Sequence, residues 1–538
     1  MFRNHRARVT ALVALVALAV LAGCGGNEAA TDQEAVSETT APANTDTKDV
    51  VPGGDVVVGV EASPASIDFV GGNGGPADSA TAYATSMIYE GLTTLGPDGV
   101  AQNSLAESVE HNDDFTVWTA KLRDGVTFTD GTPLDAAAVV DSFRFRADPA
   151  SCPCASAYEG ITVEAVDPMT VQFTLDSPRA RFAETRMSDP IAAPSTLEAG
   201  VDRNKTPVGT GPFRLVDRDS LQFERNEQYW RKDDNGRALP YVDKVRLAPI
   251  ADPSVRLAAI RKGEIQAMEV TDGPTLNAVK DDAEFTVLPS ARGGTTVVVA
   301  NTRTGPTADQ EVRDALALAV DRDALAQSYA QASSVPAYSF FSDDFAFPMK
   351  SSFPKRDVAK AKELVESIKT RLGPDALKLN IVCAKIPEAE ALLPVAVNQI
   401  REVGFDATLT FLDVGEYASQ VLGGGSGWDL ACSRTASLDA NPAELGGFLT
   451  TGSAANVAKY SNPEVDALFE KERSAVDFDE RTEIFQEIGD IVVNDKPYVP
   501  LLFNQVGAVA RKNLQGVQTP NAVWPTMVAL DRIWLKES

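Results

Sequence analysis

The feature that most constrains this chain is an alternation that begins after Gly293. Strand-like runs at 295–301, 377–383, 406–412 and 428–432 are interleaved with helix-like stretches at 309–330, 357–371, 388–403 and 415–422. Strands and helices in alternation pack as a sheet with helices laid on its faces, so a largely parallel α/β lobe is expected here. In 388–403, Ala391, Leu392, Val395, Gln399, Ile400 and Val403 mark mostly one face, the spacing of a helix lying on a sheet.

The first half follows another pattern. The folded body starts near Gly53-Gly54, and Val56 to Val60 is a β-branched run that predicts a buried strand. Next come Gly71-Gly72-Asn73-Gly74-Gly75 and a helix expected from Ser79 to Tyr89. The glycine loop lacks the Lys-Ser/Thr of a phosphate loop and the spacing of a dinucleotide fingerprint. Flexibility or close approach of a ligand remain, and Asn73 is the polar side chain at its centre. Alternation over 115–129 around Asp124-Gly125 signals a hairpin, a helix is expected over Asp135 to Arg146, and a second hairpin near Asp167-Pro168. This is the pattern of a small α+β unit inserted into something larger.

At 538 residues the chain exceeds a single core, and the scale of roughly 100 to 200 residues per domain predicts two to four core units. The first residues stand apart from them. Arg3, Arg6 and Arg8 precede an uncharged run from Val9 to Gly23, the charged and apolar regions of an export signal. The run is shorter than the roughly 20 residues a membrane-spanning helix needs. It ends in Leu21-Ala22-Gly23-Cys24, which resembles a bacterial lipoprotein box. That resemblance implies a signal peptide at 1–23 and a lipid, palmitate included, on Cys24, with a flexible tether to residue 52.

Without residues 1–23 the chain carries 46 basic against 76 acidic residues, a formal charge of −30. Such a surface repels phosphate backbones, so nucleic acid is excluded as a partner. His5 leaves with the signal, and His111 alone remains for any histidine chemistry; no metal site and no cofactor are expected. Export permits disulfides. Cys383 and Cys432 fall in two short apolar strands, where a bridge is one reading and free thiols the other; Cys152-Pro153-Cys154 can close on itself only as a tight ring or stay as thiols.

Several blocks, in order, resemble the peptide/nickel class of solute-binding proteins of ABC importers, over nearly the whole mature chain. They include Tyr89-Glu90-Gly91-Leu92, Leu105-Ala106-Glu107-Ser108, Leu122 to Leu134, Gly209-Thr210-Gly211-Pro212-Phe213, Arg225 to Trp230, Pro240-Tyr241-Val242-Asp243, Gly263-Glu264-Ile265, and Val312 to Arg322. The resemblance implies a two-lobed, class II periplasmic-binding-protein-like α/β fold with hinged lobes and an extra small α+β domain in the first lobe. Its implied boundaries are 53–85 and 201–295 for the first lobe, 86–200 for the inserted domain, 296–509 for the second lobe and 510–538 for a return to the first.

In peptide-binding relatives a Trp lies seven residues before a Pro, and an Asp four before it holds the ligand's amine. Counted back from Pro442, these positions are Thr435 and Leu438; Asp439 is one step off, and Asn441 stands where an acid is usual. Either the loop slips by one residue and Asp439 serves, or the amine anchor is missing. A buried ammonium needs such a partner, because its desolvation costs several kcal/mol. Arg434, near the carboxyl end of a strand, can meet a ligand carboxylate, with a solvated arginine as the alternative. Tyr83, Tyr338 and Phe341 are candidates to line the pocket.

The expected function is capture of a small solute, a dipeptide or oligopeptide first, between closing lobes, for delivery to ABC permease subunits. The protein is expected to be a non-enzymatic monomer, lipid-anchored on the extracytoplasmic face of the cell membrane. A metal chelate as ligand and a ligand-sensing lipoprotein are alternatives. An exported hydrolase is the remote one, for the chain lacks a Gly-X-Ser-X-Gly elbow.

Overall fold

Among the described residues two large sheets and a four-stranded one organise the chain, beside two short two-stranded pairings. The computed structural model describes residues 50–536, apart from 71–78, 97–99, 153, 291–293, 331–333, 342–348, 435–444, 454 and 520–526. The first sheet has seven strands in the order Phe285–Ser290, Val506–Arg511, Ala267–Val270, Asp55–Val60, Lys244–Pro249, Gln222–Arg225 and Phe213–Asp217. Asp55–Val60 lies at its centre and pairs in parallel with both neighbours, while the outer pairings are antiparallel. Ala267, Ala508 and Ala510 pack into one core with Val56, Val58 and Phe213. Met268, Val270 and Val509 pack into another with Ile260 and Val279. Burial on both faces accounts for strands that are apolar in succession instead of alternating.

The second sheet runs Val335–Pro336, Tyr498–Phe503, Thr295–Ala300, Leu430–Arg434, Lys378–Ala384 and Asp406–Leu412. It too is covered on both faces, with Ile381, Cys383, Leu430 and Cys432 in one core and Val297, Val299, Val382 and Ala431 in the other. The expectation of a largely parallel lobe needs correction. Lys378–Ala384 is parallel to both neighbours, but Thr295–Ala300 pairs antiparallel with Leu430–Arg434 and with Tyr498–Phe503. The strand that enters the lobe, Thr295–Ala300, runs against the crossover strands, while the leaving strand Tyr498–Phe503 runs with them, and this mixes the sheet.

Two other expectations change for local reasons. The helix predicted over 309–330 is two, Gln310–Ala319 and Arg322–Ala330, because Val320 is extended and the Asp321 carboxylate accepts the amide of Ala324 at 2.9 Å. The hairpin around Asp124-Gly125 does not form. Val117–Leu122 already pairs on one side with Ala106–His111 and on the other with Thr170–Leu175, leaving no free edge. These strands and Ile161–Asp167 make the four-stranded antiparallel sheet of the inserted domain, covered by helix Ala136–Ala147, which Asp135 caps. The return to the first sheet begins with strand Val506–Arg511, ahead of residue 510, since the chain pairs with Ala267–Val270 as soon as it leaves the second sheet.

Candidate ligand-binding cleft

The chain passes between the large sheets twice, from Phe285–Ser290 to Thr295–Ala300 and from Tyr498–Phe503 back to Val506–Arg511. Strand register decides what lies at these crossings. In the first sheet Val270, the last residue of its strand, pairs with Gly507 at the start of the returning strand. In the second, Thr296 pairs with Arg434, the last residue of its strand, and Thr295 with Phe503. Both sheets therefore turn the carboxyl ends of their parallel strands toward the crossings, where ligands of open α/β sheets bind.

On the first-lobe side this edge holds Glu269, fully buried. Its carboxylate accepts the amide of Glu61, which follows the central strand, and the hydroxyl of Ser79, which opens helix Ser79–Ile88. Burial pushes its pKa up to about 7, against the bonds from Ser79 and Glu61 and the charge of Arg256. Arg256, itself 1% exposed, donates Nε to the Glu269 carbonyl at 3.1 Å. On the second-lobe side Thr296 donates to Glu388, in the first turn of helix Pro387–Glu402, and accepts Asn504 Nδ2 at 3.0 Å. The Asn504 amide donates to the Gly294 carbonyl at 3.0 Å, so the two crossing segments are bonded to each other.

The sequence candidates fall unevenly around this frame. Arg434 ends its strand opposite Thr296, at the crossing. Cys24, Asn73, Asp439 and Asn441 lie outside the described residues. Tyr338 donates to Asp323 at 2.7 Å beneath the Arg322 guanidinium, within the second lobe. Tyr83 and Phe341 are corrected from pocket lining to core. Tyr83 has no exposed surface, and its hydroxyl accepts the Val528 amide at 2.6 Å. Phe341 is packed edge-on against Phe485. An aromatic ring with little or no free surface has already spent its apolar area on packing. Cys383 and Cys432 form a disulfide between adjacent strands, with Cα atoms 4.8 Å apart, and Cys152 and Cys154 form another.

Glu269, Thr296, Glu388 and Asn504 went unnoticed in the sequence. The signal for Glu269 was an acid inside the apolar strand Ala267–Val270; Thr296, Glu388 and Asn504 carry none without the fold.

The blocks quoted for the family meet at another buried carboxylate, Glu90. It accepts Trp230 Nε1 at 2.8 Å and the hydroxyls of Thr210 and Tyr229 at 3.1 Å each, with Arg231 Nε at 3.3 Å. Gly209 and Gly211 let their loop press on helix Ser79–Ile88. A Cβ on either would lie 2.1 Å from the Ile88 carbonyl or 2.5 Å from that of Met87. Nearby, Arg214, Glu224, Arg225 and Asp243 help line an open groove of about 680 Å³. Its charges are paired with one another, whereas the crossings gather the carboxyl ends of the parallel strands of both sheets, which makes the cleft the better ligand site.

Among the described residues no group of three His, Cys, Asp or Glu is placed to hold a metal, and no helix is long and apolar enough to cross a membrane. The model of a family described as bacterial extracellular solute-binding proteins, family 5 Middle, matches residues 101–441. The glutathione-binding protein GsiB of Salmonella paratyphi A is 28% identical over 492 residues, 86% of this chain and 91% of that protein. The oligopeptide-binding protein AppA of Bacillus subtilis, solved with a nonapeptide, superposes with a TM-score of 0.78 at 21% identity, covering 91% of this chain and all of that one (100%). DppA of Helicobacter pylori, solved with the peptide STSA, does so at 0.75 and 22%, covering 90% and 99%. The chain belongs to the bacterial extracellular solute-binding proteins of family 5, whose two-lobed members bind solutes and are not enzymes.

Proposed function

We propose that this chain captures a peptide between its two lobes and delivers it to the permease of an ABC importer, working as a monomer held by a lipid on Cys24 at the extracytoplasmic face of the membrane. The observation that carries the reading is its likeness, over 86% of its length, to a protein that binds glutathione, a tripeptide thiol. Fold neighbours bound to a nonapeptide and to STSA agree with it. In this reading Arg434 meets the ligand carboxylate, Asp439 or Asn441 its amino end, and Asn73 the ligand from the first lobe. Closure follows from ligand contacts to both lobes, because a ligand shifts an equilibrium only by its differential affinity for the two states.

The test is calorimetry and thermal melting of the full chain in detergent with glutathione, STSA and a nonapeptide, each also with acetylated or amidated ends. Binding confined to the native state adds about 2.7 kcal/mol of stability at a hundredfold excess over Kd, a readily measured shift. Arg434→Ala should weaken free-carboxylate peptides about tenfold or more and amidated ones far less. Absence of binding by every peptide, with a non-peptide solute bound instead, would overturn the proposal. Incorporation of labelled palmitate, abolished by Cys24→Ala, tests the anchor.

A further inference from the structure

The crossings are not the one place where the lobes touch. Segment 177–186 of the inserted domain reaches the corner between helices Pro463–Ser474 and Phe478–Asp495 of the second lobe, where the Ala180 amide donates to the Arg473 carbonyl at 3.1 Å. Beside that bond lies an ion pair within the second lobe: Arg481 gives both Nε and Nη2 to one oxygen of Glu472, at 3.2 and 2.7 Å, and Glu472 is only 6% exposed. From the inserted domain, Arg181, the residue after Ala180, lies within electrostatic reach of both members of the pair, attracted by Glu472 and repelled by Arg481. Arg179 faces Arg473, like charge against like. Asp176 and Glu184 on the inserted domain, and the Glu470–Arg473 and Lys471–Glu480 pairs on the second lobe, complete the surroundings.

We infer that the inserted domain is a working half of the clamp: segment 177–186 and corner 471–481 form a clasp that closes with the lobes, and Arg181 decides how firmly it holds. The clasp joins elements that no covalent connection keeps near each other, so parting of the lobes separates them, and its contacts favour the arrangement in which they are made. The like charges of Arg181 and Arg481 and of Arg179 and Arg473 work against the main-chain bond and the Arg181–Glu472 attraction, and so temper the clasp. A tempered contact suits a receptor that must reopen, since a contact that stabilised closure strongly would close the lobes without ligand and hinder release.

The test does not need the ligand. In the full chain, Ala180→Cys with Arg473→Cys should form a disulfide under mild oxidation, identified by mass spectrometry of the linked peptides. Adding Arg181→Glu, which sets an acid against Glu472, should slow that linkage about tenfold, whereas Arg181→Lys should stay within about twofold. Thermal midpoints of the variants separate loss of the clasp from loss of the fold, and Arg181→Lys keeps the comparison available if Arg181→Glu folds poorly. Absence of a 180–473 linkage, or equal rates for Glu and Lys at 181, would overturn the inference. A second arm rests on the peptide reading: with glutathione as probe, Arg181→Glu should raise the dissociation rate about three- to tenfold with little change in association. If the unaltered chain does not bind glutathione, that reading loses support while the linkage result still decides the clasp.

Discussion

Glu90 and Glu269 are both buried carboxylates of the first lobe, yet their surroundings differ. Glu90 sits where the inserted domain joins the lobe and is held by Arg231 and three neutral donors. Glu269 sits at the cleft edge with two donors, Ser79 and Glu61, and a guanidinium that turns to its main-chain carbonyl. Burial raises the pKa of both. The difference teaches that the first lobe surrounds the acid at its joint with the inserted domain by more partners than the acid at the edge of the cleft.

The largest effect should come from breaking the joint. Glu90→Ala takes away the acceptor of Trp230, Thr210 and Tyr229 and leaves the part-exposed Arg231 with Asp531 as its remaining acid, a loss of about 3 kcal/mol from the orphaned donors; urea melts of the full chain should show it, and a loss below about 1 kcal/mol would mean that water enters the joint. Next comes Glu269. Its folded pKa of about 7 lies above the ordinary glutamate value of 4.5, so the fold favours the protonated form. The resulting stability is fully present below the unfolded value and is lost as pH rises through the folded one, a span of about 3 kcal/mol between pH 4.5 and 8. Glu269→Gln keeps the acceptor for Glu61 and offers a donor to Ser79, so it should flatten that dependence and stabilise the protein at pH 8. An unchanged pH profile would place the titration elsewhere. The smallest effect belongs to Thr210→Val, which removes one of the donors to Glu90 at a cost of about 1.5 kcal/mol. If it matched Glu90→Ala, the network would act as a single unit.

Legibility in the sequence followed the range of the interactions. Helix and strand runs were readable because they depend on neighbours: the helix expected over Asp135 to Arg146 is Ala136–Ala147, and the apolar run Val56 to Val60 lies within the strand Asp55–Val60. The same local logic failed at Asp321, where a cap in mid-pattern splits a helix, and at Asp124-Gly125, where partners far along the chain had already taken both edges of the strand. Arg434 was legible as a strand end, whereas the burial of Tyr83 and Phe341 was not, since an aromatic residue looks the same in sequence whether it lines a pocket or fills a core.

By itself, then, the sequence determined the class of the lobes, the inserted α+β unit and, through its ordered blocks, the family, because periodicity and turn chemistry are written residue by residue. Only the tertiary structure decided that the entering and leaving strands run antiparallel, that Thr296, Asn504 and Glu388 bond at the crossings, and that Ala180 meets Arg473. Those contacts join residues from about ninety to about three hundred positions apart, and what brings them together is the closing of sheets and lobes, which no local pattern encodes.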